Sequence, residues 1–354
     1  MVRNKNLTIR LAAAMNFNWT FFIEQIINGL TVGSFYALIA LGYTMVYGVL
    51  TMINFAHGEI FMMGAYIGLF TLNRLMEAGL YEFSPVLTIL LTFLAGMAGA
   101  AFTGVAVERI AYRPLRRAAR LAPLISAIGI SIFLQELVRL VPDIISGITS
   151  IHFGSFFIFP ETWRMALVNI AAEFGGARVK SYPGLLGTNG ITLGEITISY
   201  SRIAIMVISI LIMIALYLLV KYTRMGKAMR AVAEDKDSAT LMGINVNSVI
   251  SQTFLIGSAL AGIAGVMVGM FYFQVRPTMG FVPGIKAFTA AVMGGIGNVP
   301  GAMLGGYALG LAEAVGVMVL PAVYKDVVAF SLLVLTLIFR PTGILGEALT
   351  EKKL

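Results

Sequence analysis

A carboxylate, an imidazole and an amide occur close together in the first part of the chain. Asn54, His57 and Glu59 lie within MINFAHGE at 52–59, inside a long apolar run. Polar side chains in such surroundings are costly unless they face protein or water, so these three are predicted to line a cavity or to brace a broken helix. Asn54 and Glu59 have a second interpretation, as caps of helix ends. His57 and Glu59 lack a third ligand, so no metal site is predicted.

A second interruption lies late in the chain, where GGIGNVPG occupies 294–301 between apolar segments. A regular helix is costly with this content of glycine and proline, and such a break is tolerated in lipid only if buried or facing water. It predicts either a lining of a translocation path or close helix packing. A phosphate-binding loop is excluded because no strand precedes it. The candidate residues are Gly294, Gly295, Gly297, Asn298 and Pro300.

Two intramembrane charges, Lys286 and Glu313, flank this break. They are further candidates for the path, and they pair either with each other or with Glu59. The sequence leaves that choice open. A Gly-x-Ser-x-Gly elbow, paired catalytic carboxylates and a metal triad are all missing from the sequence, so an intramembrane enzyme is not predicted.

The composition requires lipid as the solvent. Of 354 residues, 58% are hydrophobic and 12% are charged, with a mean hydropathy of +0.89. Soluble chains carry about 25% charged residues, so this chain is predicted to be an all-α integral membrane protein. The absence of cysteine excludes disulfides and thiolate sites. The net charge of +8 is concentrated in short segments between apolar runs, which indicates cytoplasmic loops rather than nucleic-acid binding.

The apolar runs predict a polytopic bundle of about 8–10 transmembrane helices with broken or re-entrant segments. The membrane domain is 19–340, with odd numbers of crossings expected in 19–76 and 276–340. The longest polar segment, 142–200, is predicted to be a periplasmic insertion with an amphipathic helix at 161–174. The halves on either side have opposite orientations, which favours an inverted repeat. The remaining segments, both predicted to be cytoplasmic, are 1–18 and 341–354.

A basic segment between two apolar spans, 222–248, is the most informative cytoplasmic feature. Asp237 or Ser238 can cap a short helix there, and Gly243 can end it in the left-handed conformation. A loop that only sets topology needs no ordered turn, whereas a surface that docks a partner does. The candidate docking residues are Arg230, Glu234, Asp235, Ala239 and Gly243.

Several long stretches give the chain a resemblance to the H-type permease subunits of high-affinity branched-chain amino-acid ABC importers. The segment 226–245 also resembles the coupling loop of bacterial importer permeases, with its Ala-xxx-Gly turn. The resemblance departs most at 143–200. The matching stretches are NGLTVGSFYALIALGYTMVYGVLTMINFAHGE (28–59), ERIAYRPLR (108–116), LISAIGISIFLQ (124–135), MGKAMRAVAEDKDSATLMGIN (225–245), KAFTAAVMGGIGNVPGAMLGG (286–306) and YKDVVAFSLLVLTLIFRPTGILG (324–346).

The resemblance implies a permease in the bacterial inner membrane, with cytoplasmic termini and no cofactor. It also implies four kinds of partner: an M-type permease, two ATP-hydrolysing subunits, a periplasmic amino-acid-binding protein and membrane lipid. This chain has no Walker A sequence, so ATP hydrolysis is expected elsewhere. Permeases for urea or short amides share the motifs and remain an alternative. A transporter or channel that works alone is the alternative of another class, and it leaves 226–245 without a role.

Overall fold

The computed structural model describes residues 18–116, 118–119, 121–150, 152–153, 156–157, 160–184 and 189–346. Most of these residues are helical, and the strands form three two-stranded ladders. The predicted all-α fold is confirmed. The predicted segment 1–18, apart from residue 18, lies outside the described residues, and so do Arg117, Arg120 and the end of the C-terminal tail.

The helices follow one another with short connections. They are α1 (Trp19–Leu50), α2 (His57–Glu77), α3 (Leu80–Phe83), α4 (Pro85–Val107), α5 (Leu121–Thr149), α6 (Glu161–Phe174), α7 (Tyr200–Tyr222), α8 (Arg224–Glu234), α9 (Lys236–Leu241), α10 (Val246–Tyr272), α11 (Phe281–Gly294), α12 (Val299–Val319) and α13 (Lys325–Phe339). A π-helical turn, Glu108–Tyr112, extends α4, and a 3₁₀ turn, Ala322–Tyr324, precedes α13.

The strands are short and antiparallel. β1 (His152–Phe153) pairs with β2 (Phe156–Phe157), β3 (Lys180–Ser181) with β6 (Gln274–Val275), and β4 (Gly190–Leu193) with β5 (Ile196–Ser199).

Seven helical segments among the described residues are long and apolar enough to cross a membrane. They are α1, α4 with its π-helical turn, α5, α7, α10, α12 and α13 with its 3₁₀ turn. The buried α2 and the 14-residue α11 complete the bundle. A helix of 14 residues is shorter than the ~20 that span a bilayer, so α11 is a half-length element preceded by extended chain. This agrees with the predicted broken segments.

Contacts between distant residues define two ends of the bundle. At one end, which we call the basic end, Lys236 Nζ donates to the carbonyl of Leu50 at 3.5 Å, and Arg116 bonds Asn247. At the opposite end, which we call the insertion end, Thr20 Oγ1 donates to Glu195 Oε2 at 3.2 Å. Helix α1 therefore starts beside the insertion and ends beside the basic loops.

The path of α1 corrects one expectation from the sequence. Residues 19–76 hold two helices rather than an odd number of crossings, because α1 is unbroken over 32 residues. Its glycines do not interrupt it. Gly29 and Gly33 instead lie against the backbone of α12, where an added Cβ would come within 3.0 Å of neighbouring atoms. As a result, residue 18 and the basic loops lie at opposite ends of the bundle.

The insertion begins later than predicted. Helix α5 continues through Pro142 to Thr149, although proline cannot donate to the carbonyl four residues earlier. That carbonyl, of Val138, accepts a bond from Gly176 N at 2.9 Å instead. The predicted helix at 161–174 is confirmed as α6, which packs against α5. The insertion thereby satisfies the backbone group that Pro142 leaves without a partner.

The predicted inverted repeat stays a prediction, but the helices fall into two series of like order. The series α1, α2, α4 and α5 is followed by α10, α11, α12 and α13, and each member runs opposite to its counterpart. α1 packs most closely on α12, and in the same way α4 packs on α10. Both leading helices end at a non-glycine residue with positive φ, Thr51 (58°) and Phe273 (55°). The two halves are therefore built alike and interlock.

Candidate translocation site

The connection between α1 and α2, residues 51–56, turns the chain back into the bundle. Thr51 ends α1 in the left-handed conformation, and Ala56 precedes α2 without a side-chain cap. Asn54 is buried, and its side-chain oxygen accepts a hydrogen bond from the Tyr112 hydroxyl at 2.6 Å. Asn54 thus does not cap a helix with its side chain. It joins the connection to the π-helical turn that follows α4.

Glu59 is buried in the first turn of α2 and is held by α5. Gln135 Nε2 donates to Glu59 Oε1 at 2.6 Å, and Ser131 Oγ donates to the same oxygen at 3.3 Å. The other oxygen, Oε2, has no hydrogen-bond partner among the described residues. It faces Gly280, where an added Cβ would come within 2.6 Å of it. Of the predicted roles, bracing is the one visible in these contacts, and Oε2 remains available to another group.

His57 packs on α1 rather than joining a cluster of ligands. Its ring lies edge-on to Tyr43 with centroids 4.8 Å apart, and an added Cβ on Gly42 would reach Nε2 at 2.2 Å. Within the part of the chain that the structure describes, no group of three His, Asp or Glu side chains is placed to hold a metal ion.

The first turns of α2 and α11 cross in direct backbone contact. An added Cβ on Gly58 would lie 2.4 Å from the Gly280 carbonyl oxygen, and one on Gly280 would lie 2.3 Å from that of Gly58. Gly284 also lies against Gly58 on the next turn, where an added Cβ would come within 3.0 Å of the Gly58 Cα. Only glycine permits this approach. Because Gly58 and Gly280 each lie seven residues after the left-handed end of α1 or α10, the crossing joins equivalent points of the two halves.

The glycine-rich break at 295–298 connects α11 and α12 at the basic end. Gly295 and Gly297 have φ of 107° and 94°, which favour glycine, and Asn298 caps α12 by accepting from Gly301 N at 2.9 Å. Pro300 stands in the first turn of α12. Gly294 packs against Gly301, so the close-packing interpretation applies to the hairpin itself.

The C-terminal segment holds this break in place. Ile344 N and Leu345 N donate to the carbonyls of Met293 and Gly294 at 2.8 and 3.0 Å, and Asn298 Nδ2 donates to the carbonyl of Leu345 at 2.9 Å. The last turn of α11 would otherwise leave carbonyls without partners. The break therefore lies at an end of the bundle rather than at its middle, and residues 344–345 are part of it.

The intramembrane charges pair with each other and not with Glu59. Lys286 Nζ lies 2.9 Å from Glu313 Oε1 and 2.6 Å from Asp326 Oδ1, while Tyr36 donates to Glu313 Oε2 at 3.0 Å. Lys286 and Glu313 are 6% and 4% exposed, and Asp326 lies at the rim. This cluster ties together α1, α11, α12 and α13.

The basic loop folds into two helices, α8 and α9. Asp235, rather than Asp237 or Ser238, caps α9 by accepting from Ser238 N. Ala239 is buried and its carbonyl accepts from Ile244 N at 3.0 Å, while Gly243 follows with φ of 82°. The predicted ordered turn is thus present.

Arg230 and Lys236 anchor this helical pair to the bundle. The Arg230 guanidinium donates to the last carbonyls of α7, those of Val220 and Lys221. Partial burial and the nearby Arg116 guanidinium lower the pKa of Lys236. These contacts attach α8 and α9 to the ends of α7 and α1.

Two residues of this loop escaped the sequence analysis. Leu241 and Met242 are 88% and 83% exposed at the tip of α9, on the side away from the bundle. Large apolar side chains exposed to water beside an ordered turn are typical of a protein contact. The signal was available in the sequence as a Leu-Met pair before Gly243, but only burial of Ala239 shows which side of α9 faces out.

Comparison with known proteins shows the family of this chain. A family model described as the permease component of branched-chain amino-acid transport systems matches residues 25–337. The chain belongs to this permease family.

Three relatives show how far the similarity extends. The permease protein BraD of the high-affinity branched-chain amino-acid transport system of Pseudomonas aeruginosa is 47% identical over 335 residues, covering 94% of this chain and 98% of BraD. LivH of Escherichia coli is 43% identical over 338 residues, covering 96% and 100%. A probable LivH of Methanocaldococcus jannaschii is 28% identical over 318 residues, covering 87% and 88%. The permease is thus similar to these proteins along nearly its whole length.

The buried cluster of this permease gives a stability prediction. Lys286→Met leaves the Glu313 and Asp326 carboxylates without a cation, and breaking a buried pair in this way costs about 3–5 kcal/mol. We expect a lower thermal unfolding temperature of the purified protein. Lys286→Met combined with Glu313→Gln should recover part of the loss, since the buried carboxylate is then neutral.

Lys325→Met is the matched control for this test. Lys325 neighbours Asp326 in sequence but has no ion pair with another described residue, so its replacement should change stability by less than about 0.5 kcal/mol. Equal unfolding temperatures for Lys286→Met and Lys325→Met would contradict the role given to the cluster.

Proposed function

We propose that this permease is the channel-forming subunit of an ATP-driven importer that moves branched-chain amino acids into the cytoplasm. The observation that carries the proposal is the α8–α9 pair, with its buried Ala239, left-handed Gly243 and exposed Leu241 and Met242. The family match and the similarity to BraD and LivH, permeases of branched-chain amino-acid transport systems, support the substrate class. The permease itself carries out no hydrolysis in this scheme.

The proposed partners follow from the surfaces. Two ATP-hydrolysing subunits supply the energy, and one of them docks at Leu241 and Met242. An M-type permease completes the path as a heterodimer, and a periplasmic binding protein delivers the amino acid at the insertion end. ATP-driven closure of the docked subunits pulls on α8 and α9, which are anchored to α7 through Arg230. The membrane helices then change their access state.

We place the moving part of the path at the crossing of α2 and α11. Gly58 and Gly280 allow the two helices to slide in backbone contact, and Glu59 Oε2 faces the crossing without a partner of its own. Lys286 and Glu313 brace the helices on the insertion side, and the 295–298 break closes the basic end. In this scheme Asn54 and His57 position α2 rather than bind the substrate.

The orientation follows from charge. Lys and Arg cluster in cytoplasmic loops, so the basic end faces the cytoplasm and the insertion faces outwards. In this orientation the contact between Thr20 and Glu195 supports an outer position for residue 18, whereas the sequence favoured a cytoplasmic one. The segment 340–346 lies on the cytoplasmic side.

Uptake by the reconstituted importer tests the function. Proteoliposomes are prepared with the permease, its co-purified subunits and the binding protein. They should accumulate labelled leucine only when ATP is supplied on the side of the membrane where α8 and α9 lie. Accumulation of urea in place of leucine would support the urea or short-amide alternative. Uptake by the permease alone, without ATP, would overturn the assignment in favour of an independent transporter.

Coupling through the α9 turn is tested by Gly243→Val. A β-branched residue resists the left-handed conformation by about 1–2 kcal/mol, so the turn should distort and leucine uptake should fall about tenfold. Membrane abundance should stay unchanged, because nothing lies within 4 Å of an added Cβ at Gly243.

Gly79→Val is the control for that variant. Gly79 has a φ of 73°, also with nothing within 4 Å, but it lies at the insertion end. The backbone strain is therefore the same, and uptake should remain near the unmodified level. Equal losses in the two variants would mean that strain alone, and not the docking turn, lowers transport.

The orientation is tested by single cysteines, since the chain contains none. A membrane-impermeant maleimide should label Asn18→Cys and Glu195→Cys in cells with an intact inner membrane. Gly243→Cys should react only after permeabilisation. Labelling of Asn18→Cys only after permeabilisation, as for Gly243→Cys, would place the start of α1 in the cytoplasm and contradict the proposed orientation.

A further inference from the structure

A cavity of about 410 Å³ opens at the basic end, away from the crossing of α2 and α11. It lies between the π-helical turn after α4 and the first turns of α10. Arg109 and Arg113 line it on one side, and Asn247, Ser248 and Gln252 line it on the other. The transport scheme assigns no role to this cavity.

Some side chains of the π-helical turn and of Arg113, which follows it, point into the core, and others point into the cavity. Glu108 and Tyr112 point inwards, where Glu108 binds Arg116 and Ser251 and is fully buried. Arg109 and Arg113 lie on the opposite side, and both are exposed. Neither makes a hydrogen bond or an ion pair with another described residue. Two guanidinium groups therefore face the same space without a counter-charge.

The wall of the cavity towards the membrane is apolar. Val105 and Leu255 form it, and Leu255 is 47% exposed. Nearby in the chain, Phe102 on α4 and Ile110 in the π-helical turn are 78% and 76% exposed, as expected of side chains that face lipid. The part of the cavity nearest water is thus cationic and polar, and the part nearest the acyl chains of the membrane is apolar.

We propose that this cavity binds an anionic phospholipid of the inner leaflet. The phosphate lies between Arg109 and Arg113, whose planar donors suit its oxygens, and the glycerol and head group meet Asn247 and Gln252. The upper part of an acyl chain lies on Val105 and Leu255. Basic pockets between transmembrane helices on the cytoplasmic side favour such lipids.

The apolar wall of the cavity favours a lipid over other anions as the occupant. Inorganic phosphate satisfies the arginines but gains nothing from Val105 and Leu255. An acidic segment of a docked subunit approaches from water and does not need a surface that continues into the bilayer. The lipid is the occupant that matches both parts of the cavity.

Native mass spectrometry of the full-length permease tests the site. The protein is taken from nanodiscs with a roughly 3:1 mixture of phosphatidylcholine and phosphatidylglycerol, and retained phosphatidylglycerol is counted. Arg109→Gln with Arg113→Gln should weaken retention of one phosphatidylglycerol about 30-fold. Arg109→Lys with Arg113→Lys keeps both charges and should restore most of it, which excludes misfolding as the cause.

Lys221→Gln with Arg340→Gln is the matched control. It removes the same charge from exposed positions at the same end, outside the cavity lining, and should leave retention unchanged. Equal retention by the Arg109/Arg113 double variant and the unmodified protein would overturn the proposal. So would displacement of the lipid by inorganic phosphate alone, or loss of ATPase co-purification with lipid retention unchanged.

Discussion

Lipid offers no hydrogen bonds to a polypeptide backbone, and the rest of this structure depends on that constraint. Wherever a helix of the bundle is interrupted, a distant segment supplies the missing partner. Pro142 frees the carbonyl of Val138, and Gly176 from the insertion donates to it. The half-length α11 ends at Gly294, whose carbonyl receives Leu345 from the C-terminal segment. Breaks that look like weak points along the chain are therefore places where separate parts of the protein are joined.

The two inverted halves meet in direct backbone contact where α2 crosses α11. Gly58 and Gly280 form this contact, with Glu59 Oε2 beside Gly280. Beside this crossing, firm contacts hold the surrounding helices, with Lys286 and Glu313 on one side and Asn54 with Tyr112 on the other. A backbone contact between two helices, surrounded by helices that buried polar contacts hold in place, suits a protein that alternates between two states. An importer requires such alternation.

The basic end combines two surfaces with different neighbours. The α8–α9 pair presents Leu241 and Met242 to water, while Arg109 and Arg113 face the membrane interface beside α10. Arg116 lies between them and binds both Glu108 and Asn247. The proposed docking turn and the proposed lipid cavity are thus only a few side chains apart. Lys236 extends the connection to α1 by bonding the carbonyl of Leu50.

The amino-acid sequence by itself determined the membrane class, the broken segments, the amphipathic helix at 161–174 and the ordered turn at Ala239–Gly243, because composition, apolar run length and local punctuation carry that information. The partner of Glu59, the pairing of Lys286 and the unbroken course of α1 were decided only by the tertiary structure. Glu59 meets Gln135 at a separation of 76 residues, and Tyr36 meets Glu313 at 277. Contacts between residues so far apart leave no periodicity in one sequence. Residue type indicates that a buried charge needs a partner, whereas only the packing of the helices determines which residue that partner is.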